Sequence, residues 1–209
     1  EYARGTSGEP TQGAGAVAML VTESPKLLEL ELELAGSASD YRGPDFRKPF
    51  LRFMEQAPTA YAQPRDFPVF NGKYSTTCYI DEVLAATGAA GVMVGRAALG
   101  FMRDLAAVFL HRPYQRMAET GLIMSYLLAL AVGDAEDLAE LARYAEQADV
   151  DVNSLVVELT SEPDVYALVR EQQLGADLYP LATEVAREFR RAPRFGELMT
   201  ALGTRQMQE

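Results

Sequence analysis

The sequence predicts an α/β fold in which a few strands are packed by a larger number of helices. Three observations carry this expectation. Leu27 to Leu34 alternates leucine with glutamate almost perfectly, the period-two pattern of a half-buried strand. An apolar run from Leu105 to Leu110 reads as a buried strand that ends at His111. Beyond it, apolar and amphipathic stretches recur at helical spacing to the end of the chain.

Taken in order, Gly13-Ala14-Gly15-Ala16 is a small-residue approach to a short apolar strand ending at Val21. Thr22 to Lys26 reads as a turn, so Leu27 to Leu34 forms a hairpin or neighbouring strand with it. Residues from about Gly36 to Gly72 are rich in proline and aromatics and lack periodicity, as functional loops of that length do. Ser75 is a plausible N-cap for a helix with Cys78, Tyr79, Val83 and Leu84 at helical spacing. An Ala- and Gly-rich helix or helix pair then runs to about Met102, its glycines suited to close packing. Tyr114 to Val132 reads as a strongly apolar helix. Asp134 caps an amphipathic helix through Ala148, with Leu138, Leu141 and Ala145 on one face. Shorter helices follow near Pro163 to Gln172, Tyr179 to Arg190 and Phe195 to Leu202.

Composition narrows the function. Among 209 residues, 30 acidic against 19 basic side chains give a net charge of -11, which argues against a general nucleic-acid binder. No apolar run reaches the roughly 18 residues of a membrane span, and no basic segment leads into a secretory core. One cysteine cannot form an internal disulfide and fits a cytoplasmic location. The cations cluster in two places: Arg42, Arg47, Lys48 and Arg52 form one group, while Arg112 and Arg116 flank His111. Such runs are either solvated charged loops or docking points for phosphates or an acidic protein.

His111 is the chain's sole histidine and the leading catalytic candidate. It stands where an apolar run ends, two residues before Pro113, which suits the first turn of a helix. The positive field of a helix N-terminus favours a neutral ring there. The ordinary alternative is a partly buried histidine with no role in chemistry. A nucleophilic couple of Cys78 with His111 is a further option, although the pattern around Cys78 is helical and favours a buried thiol. Gly13-Ala14-Gly15 precedes a strand, whereas a dinucleotide loop follows one, so it is read as close backbone packing. No metal-ligand pattern is present.

Four blocks then occur in order: Gly13 to Leu20, Asp45-Phe46-Arg47-Lys48-Pro49, Gly72-Lys73-Tyr74-Ser75 with Cys78-Tyr79, and Phe109-Leu110-His111-Arg112-Pro113-Tyr114. Together they resemble the 3-hydroxy-3-methylglutaryl-CoA synthase family, of thiolase fold. The part after about Ala118 looks more like the polyketide β-branching members. The resemblance implies a mixed sheet packed by helices. It also implies that residues 1–209 form a partial condensing-enzyme domain, comprising most of its C-terminal half. The family's nucleophilic cysteine and acid/base glutamate would lie in the preceding half, so this portion alone should not catalyse the full reaction.

The implied chemistry adds an acetyl-derived carbanion to the β-ketone of an acyl thioester carried on phosphopantetheine or coenzyme A, with no tightly bound cofactor. His111 would polarise the acceptor thioester, and Ser75, Tyr114 and Arg116 would lie along the acyl-thioester and its carrier. The family often has a second lysine four residues after the Arg116 position, where this chain has Thr120. That loss points to acyl carrier proteins as donor and acceptor partners, met by Arg42, Arg47, Lys48 or Arg112. A mevalonate-pathway enzyme, or a carrier-protein-binding module without chemistry, are the alternatives. By analogy with thiolase-fold proteins, a homodimer is expected.

Overall fold

A computed structural model describes residues 15–39, 72–94, 102, 108–111, 115–171, 173 and 175–201. Its regular elements are a short 3-10 turn, Leu32–Leu34, and the helices α1 (Gly72–Val94), α2 (Gln115–Ala131), α3 (Ala135–Gln147), α4 (Val152–Thr160), α5 (Val165–Arg170), α6 (Pro180–Phe189) and α7 (Pro193–Ala201).

The expected α/β fold with a mixed sheet is not what these residues form. No strand occurs among the described residues, and the packed part is helical. The Gly15–Val21 and Leu27–Leu34 segments are exposed: Leu20 is 90% and Leu27 101% accessible. A period-two pattern says which face a strand would bury, but a strand exists only through hydrogen bonds to a neighbour. Helices close those bonds within themselves, so they form where their own sequence directs them. Leucine and glutamate are also good helix formers, and Leu32–Leu34 turns accordingly. Val108 to His111 is likewise irregular, and Leu105–Ala107 lies outside the described residues.

α2 is the hub. Gly121 to Leu127 is buried at every position, as expected of a helix apolar all round and enclosed on all sides. It packs on α1 across one side and on α3, α4 and α6 across the others. Ile123, Met124, Leu127 and Leu130 have no accessible surface. Burying each such side chain contributes roughly 1.5–3 kcal/mol. Gly121 sets the α1–α2 spacing, because a Cβ there would stand 3.1 Å from the Tyr79 ring. At Gly36 the chain crosses so close to α1 that a Cβ would run into the Ala86 and Ala90 backbone.

The helix ends follow local chemistry. Asp134 accepts from the Glu136 and Asp137 amides while Asp137 returns a bond to Asp134, a reciprocal capping box. Leu141 and Ala145 of α3 are buried as expected, whereas Leu138 remains 38% exposed. α1 begins at Gly72, so Ser75 lies inside the helix rather than capping it. α4 has no counterpart among the expected helices, although Asp151 caps it through Ser154 and Leu155 and Leu159 share a buried face.

α6 has no cap of its own at Tyr179, and Pro180 supplies the first turn. The carboxylate of Glu158, on α4, accepts from the Leu181 and Ala182 amides at 3.1 and 2.8 Å. Burial raises its pKa, and the two amides act against that rise. Glu158→Ala leaves these donors without their acceptor and removes the negative charge at the positive end of α6. It should lower unfolding free energy by about 1–2 kcal/mol, read from the urea midpoint. A midpoint unchanged from wild type would show that the cap is not used.

Candidate functional site

The site is built on the seam between α1 and α2. On α1, Ser75 and Tyr79 are one turn apart and therefore share a face. Ser75 is buried, with 6% of its surface accessible. Tyr79 packs beside Gly121 of α2, and its hydroxyl donates to the backbone carbonyl of His111 at 3.0 Å. Burial raises the Tyr79 pKa, which keeps the phenol protonated and able to donate. The segment that carries His111 is thereby pinned to α1 although it has no regular structure of its own.

The pin engages the main chain of His111 and leaves the imidazole unengaged by it. His111 is exposed and lies four residues ahead of α2. Arg116 stands in the first turn of α2, also exposed. Ser75, His111 and Arg116 thus belong to one end of the α1–α2 pair. Tyr114, Arg112, Arg42, Arg47 and Lys48 lie outside the described residues.

Cys78 occupies a different environment. It is buried at 5% accessibility in a small apolar cluster with Tyr74, Val165 and Leu168, while His111 is exposed. A buried thiol shielded by apolar groups is inert, so the arrangement favours a packing role over a Cys78–His111 couple.

Thr120 is not remote from positive charge. Arg190, just after α6, donates through Nη2 to Thr120 Oγ1 at 2.7 Å and through Nε to Glu119 at 2.6 Å. Thr120 is one helical turn beyond Arg116, so two guanidinium groups flank this end of α2. The sequence reading missed both Arg190 and the pin from Tyr79. Their partners are 70 and 32 residues away, and no local pattern encodes such pairings.

Ala142, Glu146, Asp149, Val150, Asp151 and Val152 line a hollow of about 520 Å³ at the α3–α4 corner, and it contains none of the candidates. Among the described residues, no group of three or more His, Cys, Asp or Glu side chains could hold a metal ion. No helix among them is long and apolar enough to cross a membrane.

Two known proteins are similar in sequence. A hydroxymethylglutaryl-CoA synthase of Haloferax volcanii is 29% identical over 150 residues, which is 71% of this chain and 29% of that protein. A hydroxymethylglutaryl-CoA synthase of Enterococcus faecalis is 30% identical over 146 residues, 70% of this chain and 32% of that protein. The matched part therefore spans less than a third of the length of either relative. No family model matches the chain, and no solved structure does. In both cases the similar protein is a hydroxymethylglutaryl-CoA synthase.

Proposed function

We propose that this chain is part of a condensing enzyme of the hydroxymethylglutaryl-CoA synthase kind, joining an acetyl-derived carbanion to the β-ketone of a second acyl thioester. The observation that carries the reading is the pin from Tyr79 to His111. It ties together two of the four motif blocks, 32 residues apart at these positions.

In this reading an acetyl group is first held as a thioester on a cysteine outside these 209 residues. A glutamate, also outside them, takes a methyl proton, and the resulting carbanion attacks the ketone carbon. The C=O π electrons move to oxygen, which is protonated to a tertiary alcohol, and hydrolysis frees the cysteine. His111 donates a hydrogen bond to the carbonyl oxygen of the acceptor thioester and so orients and polarises it. Ser75 and Tyr114 contact the acyl-thioester portion. Arg116 faces the phosphates of the carrier.

The carrier is the open choice between the polyketide and mevalonate forms of this chemistry. The missing lysine at Thr120 favours a carrier protein, and the Arg190 guanidinium bonded there is already paired with Glu119. Coenzyme A is nonetheless the favoured carrier, in line with the names of both relatives. Docking of an acyl carrier protein through Arg42, Arg47, Lys48 or Arg112, the β-branching role, is the competing outcome.

The test is intact-protein mass spectrometry on material isolated from its own cells, after incubation with acetyl-CoA or acetyl-acyl carrier protein in parallel. One acetyl on a polypeptide segment other than residues 1–209, faster from acetyl-CoA, is expected. Faster loading from the carrier protein would reassign the donor and favour β-branching. An adduct on Cys78, or none on any polypeptide, would overturn the condensing reading in favour of direct Cys78 chemistry or a binding module.

A further inference from the structure

We infer that Phe109 receives the acyl tail of the acceptor thioester and so sets which acyl groups the site prefers, an inference that rests on the condensing reading above. Residues 108–111 alternate in exposure. Val108 and Leu110 are partly buried and pack on the large apolar cluster centred on α2. Phe109 and His111 are exposed, Phe109 with 79% of its surface accessible. The core therefore holds one pair of side chains and leaves the other pair together on the solvent side.

The ring is open to solvent but its mount is fixed. Val108 and Leu110 hold the chain to the core on either side of Phe109, and the Tyr79 hydroxyl grips the His111 carbonyl at 3.0 Å. An aromatic ring so placed offers an apolar surface to whatever approaches His111. Covering it costs little order, because its backbone is already set and only two side-chain torsions remain free. Reach agrees with this role. Two residues of chain span at most about 7 Å, and a short β-ketoacyl group extends about 4–6 Å from its thioester carbon. Direction agrees as well. Arg116, which faces the carrier phosphates in the proposed reaction, follows His111 in the chain, whereas Phe109 precedes it. A thioester with its carbonyl at His111 and its phosphates toward Arg116 turns its acyl end toward Phe109. An uncharged ring suits a hydrocarbon tail and gives a phosphate nothing to pair with.

The chain contains no tryptophan, so Phe109→Trp places a single indole reporter at this position in the full 209-residue protein. The replaced ring is exposed, and the exchange disturbs little packing. Indole emission is followed during titration with acetoacetyl-CoA, with 3-oxohexanoyl-CoA and with free coenzyme A. Both acyl thioesters should shift the emission to shorter wavelength as the tail covers the indole, and free coenzyme A should not. The longer thioester should bind about tenfold more tightly, since it buries two further methylenes against the ring. No shift with either thioester, an equal shift with free coenzyme A, or an affinity indifferent to acyl length overturns the inference. Its failure is separable from that of the condensing reading, which acetyl loading decides. Loading without the shift removes Phe109 alone, whereas the shift without loading keeps Phe109 as an acyl-binding residue and removes the condensation.

Discussion

His111→Ala lowers condensation by about 10²- to 10⁴-fold in the enzyme that carries this chain, while acetyl loading of its nucleophile stays within about twofold. The split follows from the proposed role. Loading needs a thiolate and a donor thioester, whereas condensation needs the acceptor carbonyl held and polarised. The variant is also a clean one. Tyr79 grips the main-chain carbonyl at residue 111, so removal of the ring keeps the segment pinned to α1. Tyr79→Phe makes the complementary change, keeping the imidazole but releasing its mount, and should cost a smaller factor, about tenfold. Single-turnover assays that separate loading from condensation decide the matter. A parallel fall in both steps for His111→Ala would remove His111 from the acceptor side.

These expectations show which parts of the molecule were legible in the chain. The capping box at Asp134 and the proline at the start of α6 are local devices, encoded within a few residues and readable there. α2 was legible because the mostly apolar run from Leu122 to Ala131 has one use in a water-exposed fold, at the centre. The strand patterns failed because pairing is a property of two segments, and periodicity in one contains no record of the other. Leu138 misled for a related reason: it fits the apolar stripe of α3 but sits at its edge, where no neighbour covers it. At the candidate site, the motif block around His111 could be found by inspection. What positions it could not, since Tyr79 and Arg190 are ordinary residues made relevant by where the helices cross. No lysine stands at position 120, yet packing brings the Arg190 guanidinium there from just beyond α6, paired with Glu119. Charge at a site is set by packing as well as by the motif.

The same distinction makes Phe189→Ala the substitution with the largest expected effect on stability. Phe189 ends α6 in a sequence of charged residues, Arg187 to Arg191, that looks like a solvated surface. In the fold it has no accessible surface and meets three rings. Tyr144 stands edge-on at 4.9 Å between centroids, Phe195 edge-on at 6.2 Å, and Tyr126 tilted at 5.5 Å. The two tyrosines in turn donate to one oxygen of Glu140, at 2.8 and 2.9 Å, and Arg194 donates to the Tyr126 hydroxyl. Burial first, and then Glu140, raise the Tyr144 pKa, so the phenol remains a donor through neutral pH. Truncating Phe189 removes the ring that spaces the tyrosines and opens a cavity where α2, α3 and α6 meet. The cost should be about 3–5 kcal/mol, measured from urea denaturation with an unchanged slope. Tyr144→Phe separates the two contributions: it deletes one hydrogen bond to a charged acceptor but keeps the packing, and should cost about 1.5–3 kcal/mol. If Phe189→Ala proved the milder of the two, the polar cluster rather than the aromatic one would be what joins α6 to the hub.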